Sequence, residues 1–180
     1  MNTLTRERLN TTSIKPTAWS HFTLRVPIKA SVRQLYKAWS TQEGLEKWFL
    51  RTATFEKNDG QLLNRSENAG RGATYQWRWH GYTDDIEEKK QVTDANGEDF
   101  FQFLFTCNCL VSVSIKSISA DECMLELKQE NIPDDRNAET NLFVHCQLGW
   151  TFYLTNLKSV YEHNIDLRNK DINLGKVITA

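Results

Sequence analysis

The sequence has little of several things. It contains only 3 prolines and 8 glycines in 180 residues, with no block of either. That excludes collagen-like, linker-like and proline-rich architectures. It lacks an excess of either charge, since 22 basic and 23 acidic residues leave a formal charge of −1. A near-neutral balance gives no electrostatic footprint for nucleic acid or an anionic membrane surface. No stretch approaches the roughly 20 apolar residues that span a bilayer. Residues 1–17 are polar and hold no apolar signal segment, so a cytoplasmic chain is expected. Cysteine is sparse as well: Cys107, Cys109, Cys123 and Cys146. In that compartment they are expected as thiols. Cys107-Asn108-Cys109 lacks the spacing of a zinc knuckle and no second Cys/His pair matches it. No metal or other cofactor is therefore expected.

What is present fits one domain with a packed core: 39% hydrophobic, 25% charged and 11% aromatic residues. Residues 1–17 and 170–180 lack periodicity and read as tails around a domain at 18–169. From Ser20 the chain alternates, with Phe22, Leu24, Val26 and Ile28 on one side, and Pro27 marks this strand as an edge. Ser31 and Thr41 are cap residues for two short helices, the first carrying Leu35, Tyr36 and Trp39, the second Leu45, Trp48 and Phe49. Six strand-like pieces follow: 51–56, 74–80, 86–93, 101–106, 109–116 and 123–129. Asp94-Ala95-Asn96-Gly97 supplies a hairpin turn.

Pro133 ends this meander, and Asp134, Asp135, Asn137 and Glu139 are placed to favour a helix N-terminus. From Glu139 to His163 one apolar stripe runs at helical spacing through Leu142, Phe143, Cys146, Gly149, Trp150, Tyr153, Leu154, Leu157 and Val160. Asn164 is suited to a left-handed stop, with Ile165 as the apolar cap contact. Only the dry face of the sheet can bury that stripe, so the strands must curl around the helix. The expected class is α+β: a curved antiparallel sheet wrapped around a long C-terminal helix, with two short helices after the first strand.

Between sheet and helix the pattern places an aromatic wall. Trp77, Trp79, Phe101, Phe103 and Phe105 face Cys146, Trp150 and Tyr153, with Gln129 or Tyr153 available for a polar contact. Large rings opposite the small Cys146 and Gly149 either complete a core or leave room for an apolar ligand. These nine residues, Gln129 included, form the candidate cavity lining. His80 would suit acid–base work, but alternation sets it opposite Trp77 and Trp79, on the outer face. His145 adjoins Cys146, yet neighbouring helical residues diverge by about 100°, so a Cys–His dyad is not expected. Asp84-Asp85 and Glu87-Glu88 read as solvated acids.

The stretch from Ser31 to Phe49 (SVRQLYKAWSTQEGLEKWF) resembles the opening of START-like domains, and within them the branch named after the activator of the heat-shock-protein-90 ATPase. Tyr75-Gln76-Trp77-Arg78-Trp79-His80-Gly81-Tyr82 is similar to a strand of that branch. Gly149-Trp150, Asn156-Leu157-Lys158 and Asp166-Leu167-Arg168 resemble its last helix and terminus. The resemblance covers residues 19–168. It implies a helix-grip fold with a hydrophobic cavity beneath the helix. The superfamily hosts lipid carriers, cyclases, hormone receptors and co-chaperone modules, so fold alone names no activity. The expected function is non-enzymatic binding of a small apolar molecule. The alternatives are a module that binds a chaperone or other protein, and a cyclase- or hydrolase-like enzyme using the cavity. The eponymous activator resembles a two-domain arrangement, whereas residues 1–17 alone precede the first strand here. Direct activation of a chaperone ATPase is therefore not expected.

Overall fold

The computed structural model describes residues 18–134, 137, 141–174 and 177. The expected N-terminal tail, and residues 175–176 and 178–180 of the C-terminal one, lie outside these. The elements are β1 (Phe22–Ile28), α1 (Val32–Ser40), α2 (Gln42–Trp48), β2 (Thr52–Glu56), β3 (Thr74–Arg78), β4 (Glu88–Ala95), β5 (Phe100–Phe105), β6 (Cys109–Ser117), β7 (Cys123–Glu130) and α3 (Leu142–His163). One 7-stranded sheet runs in the order β1-β7-β6-β5-β4-β3-β2, and every pairing is antiparallel. It curls around α3, so the helix-grip architecture expected from the sequence is the one observed. Pro27 sits on edge strand β1, where its missing N–H breaks no ladder.

Period two decides which side chains turn inward. Phe101, Phe103, Val111, Val113, Ile115, Leu125 and Leu127 are all buried, while the residues between them are partly exposed. Strand β4 ends two residues later than the sequence suggests. A register shift between Val92 and Asp94 keeps Ala95 paired with Phe101, and the turn falls at 96–99 instead. There the Asn96 side-chain oxygen accepts the N–H groups of Glu98, Asp99 and Phe100 at 3.0, 3.1 and 3.0 Å. Toward its other end β4 parts from β5, and side chains bridge the gap. Tyr75 donates to the Leu104 carbonyl at 2.5 Å, Thr106 to Glu88 at 2.7 Å, and Lys90 to Asn108 at 3.0 Å.

Thr41 serves two helices. Its hydroxyl donates to the Lys37 carbonyl of α1 at 2.8 Å and accepts the Gly44 N–H of α2 at 3.0 Å. Ser31 and Gln34 form a capping box at the start of α1. α3 is one unbroken helix of 22 residues, with no kink at Gly149. Its cap is Asn141, whose side chain accepts the Val144 N–H at 3.0 Å. Asp134 and Asn137, expected as capping groups, are therefore not the cap that starts it; Asp135 and Glu139 lie outside the described residues. The shift follows from Asn141 supplying the side-chain acceptor that the first turn needs. Asn164 ends α3 in the left-handed conformation with φ 56°. Ile165 is exposed rather than packed as an apolar cap, because the chain beyond it is drawn toward α2.

Arg168 draws it there. This side chain is 7% exposed and donates to the Leu50, Lys47 and Glu46 carbonyls at 2.9, 3.0 and 3.1 Å. Those carbonyls lie at the C-terminal end of α2 and just beyond, where a helix leaves acceptors unpaired and favours positive charge. Asp166 pairs with the same guanidinium at 2.7 and 2.9 Å. Buried Asn156 of α3 completes the clasp, donating to the Trp48 carbonyl at 2.6 Å and accepting the Leu167 N–H at 2.7 Å.

Candidate ligand pocket and family

Beneath the N-terminal half of α3, the space between helix and sheet is not filled. A recess of about 190 Å³ opens between Leu142, His145, Cys146, Gly149, Trp150 and Tyr153 of the helix and Phe49, Trp79, Phe105 and Thr106 opposite. Its walls are rings in mutual contact: Phe49 with Tyr153 at 4.7 Å and with Trp150 at 5.1 Å, and Phe105 with Trp150 at 5.3 Å. Deeper in, the lumen is solid. Trp77, Phe101 and Phe103 are buried, with Phe103 5.1 Å from Trp77 and 6.0 Å from Phe101. The structure thus brings Trp79, Phe105, Cys146, Trp150 and Tyr153 of the expected lining to the recess and places Trp77, Phe101 and Phe103 in the core behind it. Gln129 lies behind Trp150, accepting its indole N–H at 2.8 Å.

Sequence reasoning left Phe49, Thr106, Leu142 and His145 out of the lining. Phe49 was legible only as part of an apolar helix face. Thr106 arrives through the hairpin between β5 and β6, where Cys107 and Asn108 both take positive φ values of 57° and 59°. Gly149 explains much of the opening. A Cβ built there would meet nothing within 4 Å, so the helix offers backbone where a side chain could have filled the gap. Glycine inside a helix costs about 1 kcal/mol relative to alanine. Gly149→Ala should therefore raise stability by up to ~1 kcal/mol and narrow the recess; a fall in the thermal midpoint would show that the space is not free.

The polar chemistry of the recess is sparse. Burial pushes the Cys146 thiol up to about 11, so it stays protonated and is a poor nucleophile despite His145 beside it on the rim. Burial likewise raises the Tyr153 phenol well above its usual range. The Thr106 hydroxyl is committed to Glu88. His80 is not in the lining. It is half-buried near Arg168 and Lys170, and burial followed by those cations lowers its pKa. Asp84 pairs with Arg51, and Glu87 with Arg78 at 2.6 Å and Lys89 at 2.5 Å. Among the described residues no group of three metal-ligating side chains forms, and no helix is long and apolar enough to cross a membrane. All four cysteines are free, with Cys107 exposed and the other three buried. A larger hollow of about 490 Å³ lies on the outer side of β2–β4, lined mainly by Thr54, Glu56, Gln76, Lys89, Lys90 and Gln91. Its lining carries more polar groups and its lysines are already paired with Glu87 and Asn108, so the smaller ring-lined recess is the better ligand site.

The family profile of activator of Hsp90 ATPase homolog 1-like proteins matches residues 29–162. The chain belongs to that family. The match runs from the end of β1 through almost all of α3, which is the region the sequence motifs singled out. Solved structures agree on the fold. Protein SSP2350 from Staphylococcus saprophyticus superposes with a TM-score of 0.63 at 14% identity, covering 82% of this chain and 96% of that one. EF2215 from Enterococcus faecalis gives 0.61 at 17%, covering 80% and 72%. The Aha1 dimer from Colwellia psychrerythraea gives 0.61 at 17%, covering 79% and 96%. At such identities these likenesses speak for the fold alone. No curated protein matches the sequence significantly.

Proposed function

We propose that this family member is a binding domain that takes up a small apolar molecule in the recess under α3 and does not transform it. The observation that carries the reading is a ring-lined recess kept open by the missing side chain of Gly149. Sites for drug-sized ligands measure about 300–1,000 Å³, whereas a dry cavity of about 150 Å³ accommodates benzene. At about 190 Å³ the recess suits a single ring with a short substituent. Enzymatic use of the cavity would need an ionisable group poised there, and the Cys146 thiol is held neutral instead.

A second reading rests on the outside of α3. Leu148 is 64% and Val144 37% exposed, one turn apart, so the helix presents an apolar strip to solvent as a protein-binding module would. Titration with ethylbenzene separates the two. The unmutated chain should show saturable binding by calorimetry. Cys146→Trp should fill the recess, abolish binding and change stability by less than about 1 kcal/mol, because the added ring enters open space. Destabilisation by about 1–3 kcal/mol, the cost of overpacking a full core, together with no uptake by the unmutated chain, would put the interaction reading ahead.

A further inference from the structure

The charges and rings around the recess favour one sign. Four of its rings contact one another in a closed circuit: Phe49 with Trp79 at 5.9 Å, Trp79 with Phe105 at 6.4 Å, Phe105 with Trp150 at 5.3 Å, and Trp150 with Phe49 at 5.1 Å. All four line the recess, and no lysine or arginine does. The face of an aromatic ring is the negative part of its quadrupole. Beside the rings stands a carboxylate. Thr106, also in the lining, donates its hydroxyl to Glu88 at 2.7 Å. Among the described residues no lysine or arginine pairs with Glu88, although its neighbours Glu87 and Lys89 pair with each other and Lys90 donates to Asn108. The charge of Glu88 is felt in the recess wall: after burial, it is one of the lesser influences that keep the Cys146 thiol protonated. Glu88 does not line the recess, so it acts on an occupant through its field and not by contact.

Resting on the reading of the recess as a ligand site, we infer that its occupant carries a methylated, permanently cationic nitrogen, such as a trimethylammonium group, held against the recess rings. Such a group is an apolar surface around a positive charge. Its methyl groups meet the rings as a hydrocarbon would, and the charge adds the attraction of ring faces for cations within about 6 Å. A primary ammonium brings three N–H donors that rings cannot satisfy. A carboxylate meets the field of Glu88 and finds no lysine or arginine in the lining. A neutral ring fills the space but gains nothing from that field. The bulk fits: a trimethylammonium group has the shape of a tert-butyl group, no larger than the benzene that about 150 Å³ accommodates, and the recess offers about 190 Å³.

The test compares choline with 3,3-dimethylbutan-1-ol, its neutral twin, in which carbon replaces nitrogen and the shape is kept. Water holds the cation more strongly, so a recess that offered only apolar surface would prefer the alcohol. The unmutated chain, titrated by calorimetry at about pH 8, above the ordinary histidine range, should bind choline about tenfold more tightly than the alcohol. Trp79→Leu removes one half-buried ring of the circuit and should cut that preference roughly threefold to tenfold. Glu88→Gln keeps an acceptor for Thr106, removes the charge and should cut the preference about threefold; it supplies the comparison if the ring variant fails to fold. If the alcohol binds as tightly as choline or more so, if ethylbenzene alone binds, or if neither substitution changes the preference, the cation inference is overturned and the pocket stands. If choline, the alcohol and ethylbenzene all fail to bind the unmutated chain, the pocket reading falls and the inference with it.

Discussion

Arg168→Ala should destabilise the domain by about 3–5 kcal/mol, the range for breaking a buried charged pair from one side. The guanidinium is 7% exposed and satisfies three carbonyls at or just past the end of α2 as well as Asp166. Removing it leaves all of these acceptors in a site that water reaches poorly, and it frees the segment after α3 from α2. Arg168→Lys should recover only part of the loss, since an ammonium cannot reproduce the planar fork. Urea unfolding measures both, and a loss below about 1 kcal/mol would mean that the clasp behaves as an ordinary surface pair. Acid should act in the same direction. Burial alone would raise the Asp166 carboxyl, but hydrogen bonds from Arg168 and Lys170 outweigh it and hold it well below the usual carboxylate range. With the folded value depressed, its contribution is complete above the unfolded value of about 3.9 and is lost as pH falls below it. Arg168→Ala should remove most of that acid sensitivity.

Gly44→Ala should be the most damaging of the conservative substitutions. In most helix interiors this exchange stabilises by about 1 kcal/mol. At Gly44 the added Cβ would stand 2.0 Å from the Lys37 carbonyl oxygen, 2.8 Å from the Ala38 Cα and 2.7 Å from the Thr41 hydroxyl. Two of those atoms are backbone and cannot swing aside. The third is the shared cap of α1 and α2, worth about 1 kcal/mol by itself. The helices must separate, carrying Trp39 and Trp48, which pack at 4.8 Å. A loss of about 3 kcal/mol or more is expected from overpacking with cap loss. Thermal unfolding of Gly44→Ala beside Gly149→Ala makes the comparison internal: one midpoint should fall and the other rise. A rise in both would refute the close packing of α1 on α2.

Most of the fold was legible because it is written in periodicity. The alternation through Cys109, Val111, Val113 and Ile115, and the helical stripe from Leu142 to Val160, each leave one arrangement that buries them. Pro27, Ser31 and Thr41 marked an edge and two helix starts by their local chemistry. What was not legible depends on long-range placement. Arg168 was legible only as part of the Asp166-Leu167-Arg168 motif at the end of the domain, and nothing in its neighbours announces the carbonyls of α2, more than a hundred residues earlier in the chain. The recess was half legible. Inward-facing rings could be counted from alternation, but whether opposing residues meet or leave a gap depends on strand curvature. Trp77, Phe101 and Phe103 carry the same pattern as Trp79 and Phe105. They differ only in lying farther under the helix, where the sheet closes.

The central claim is the pocket, and it is tested most directly by following the ethylbenzene titration through the tryptophan indole N–H resonances. Trp79 and Trp150 line the recess, whereas Trp48 does not and has its N–H committed to the Ala38 carbonyl at 3.0 Å. Saturable shifts are expected at Trp79 and Trp150, larger than any at Trp48, and all should be lost in Cys146→Trp. No saturable shift at either lining tryptophan, or shifts confined to Val144 and Leu148 on the outer face of α3, would contradict it.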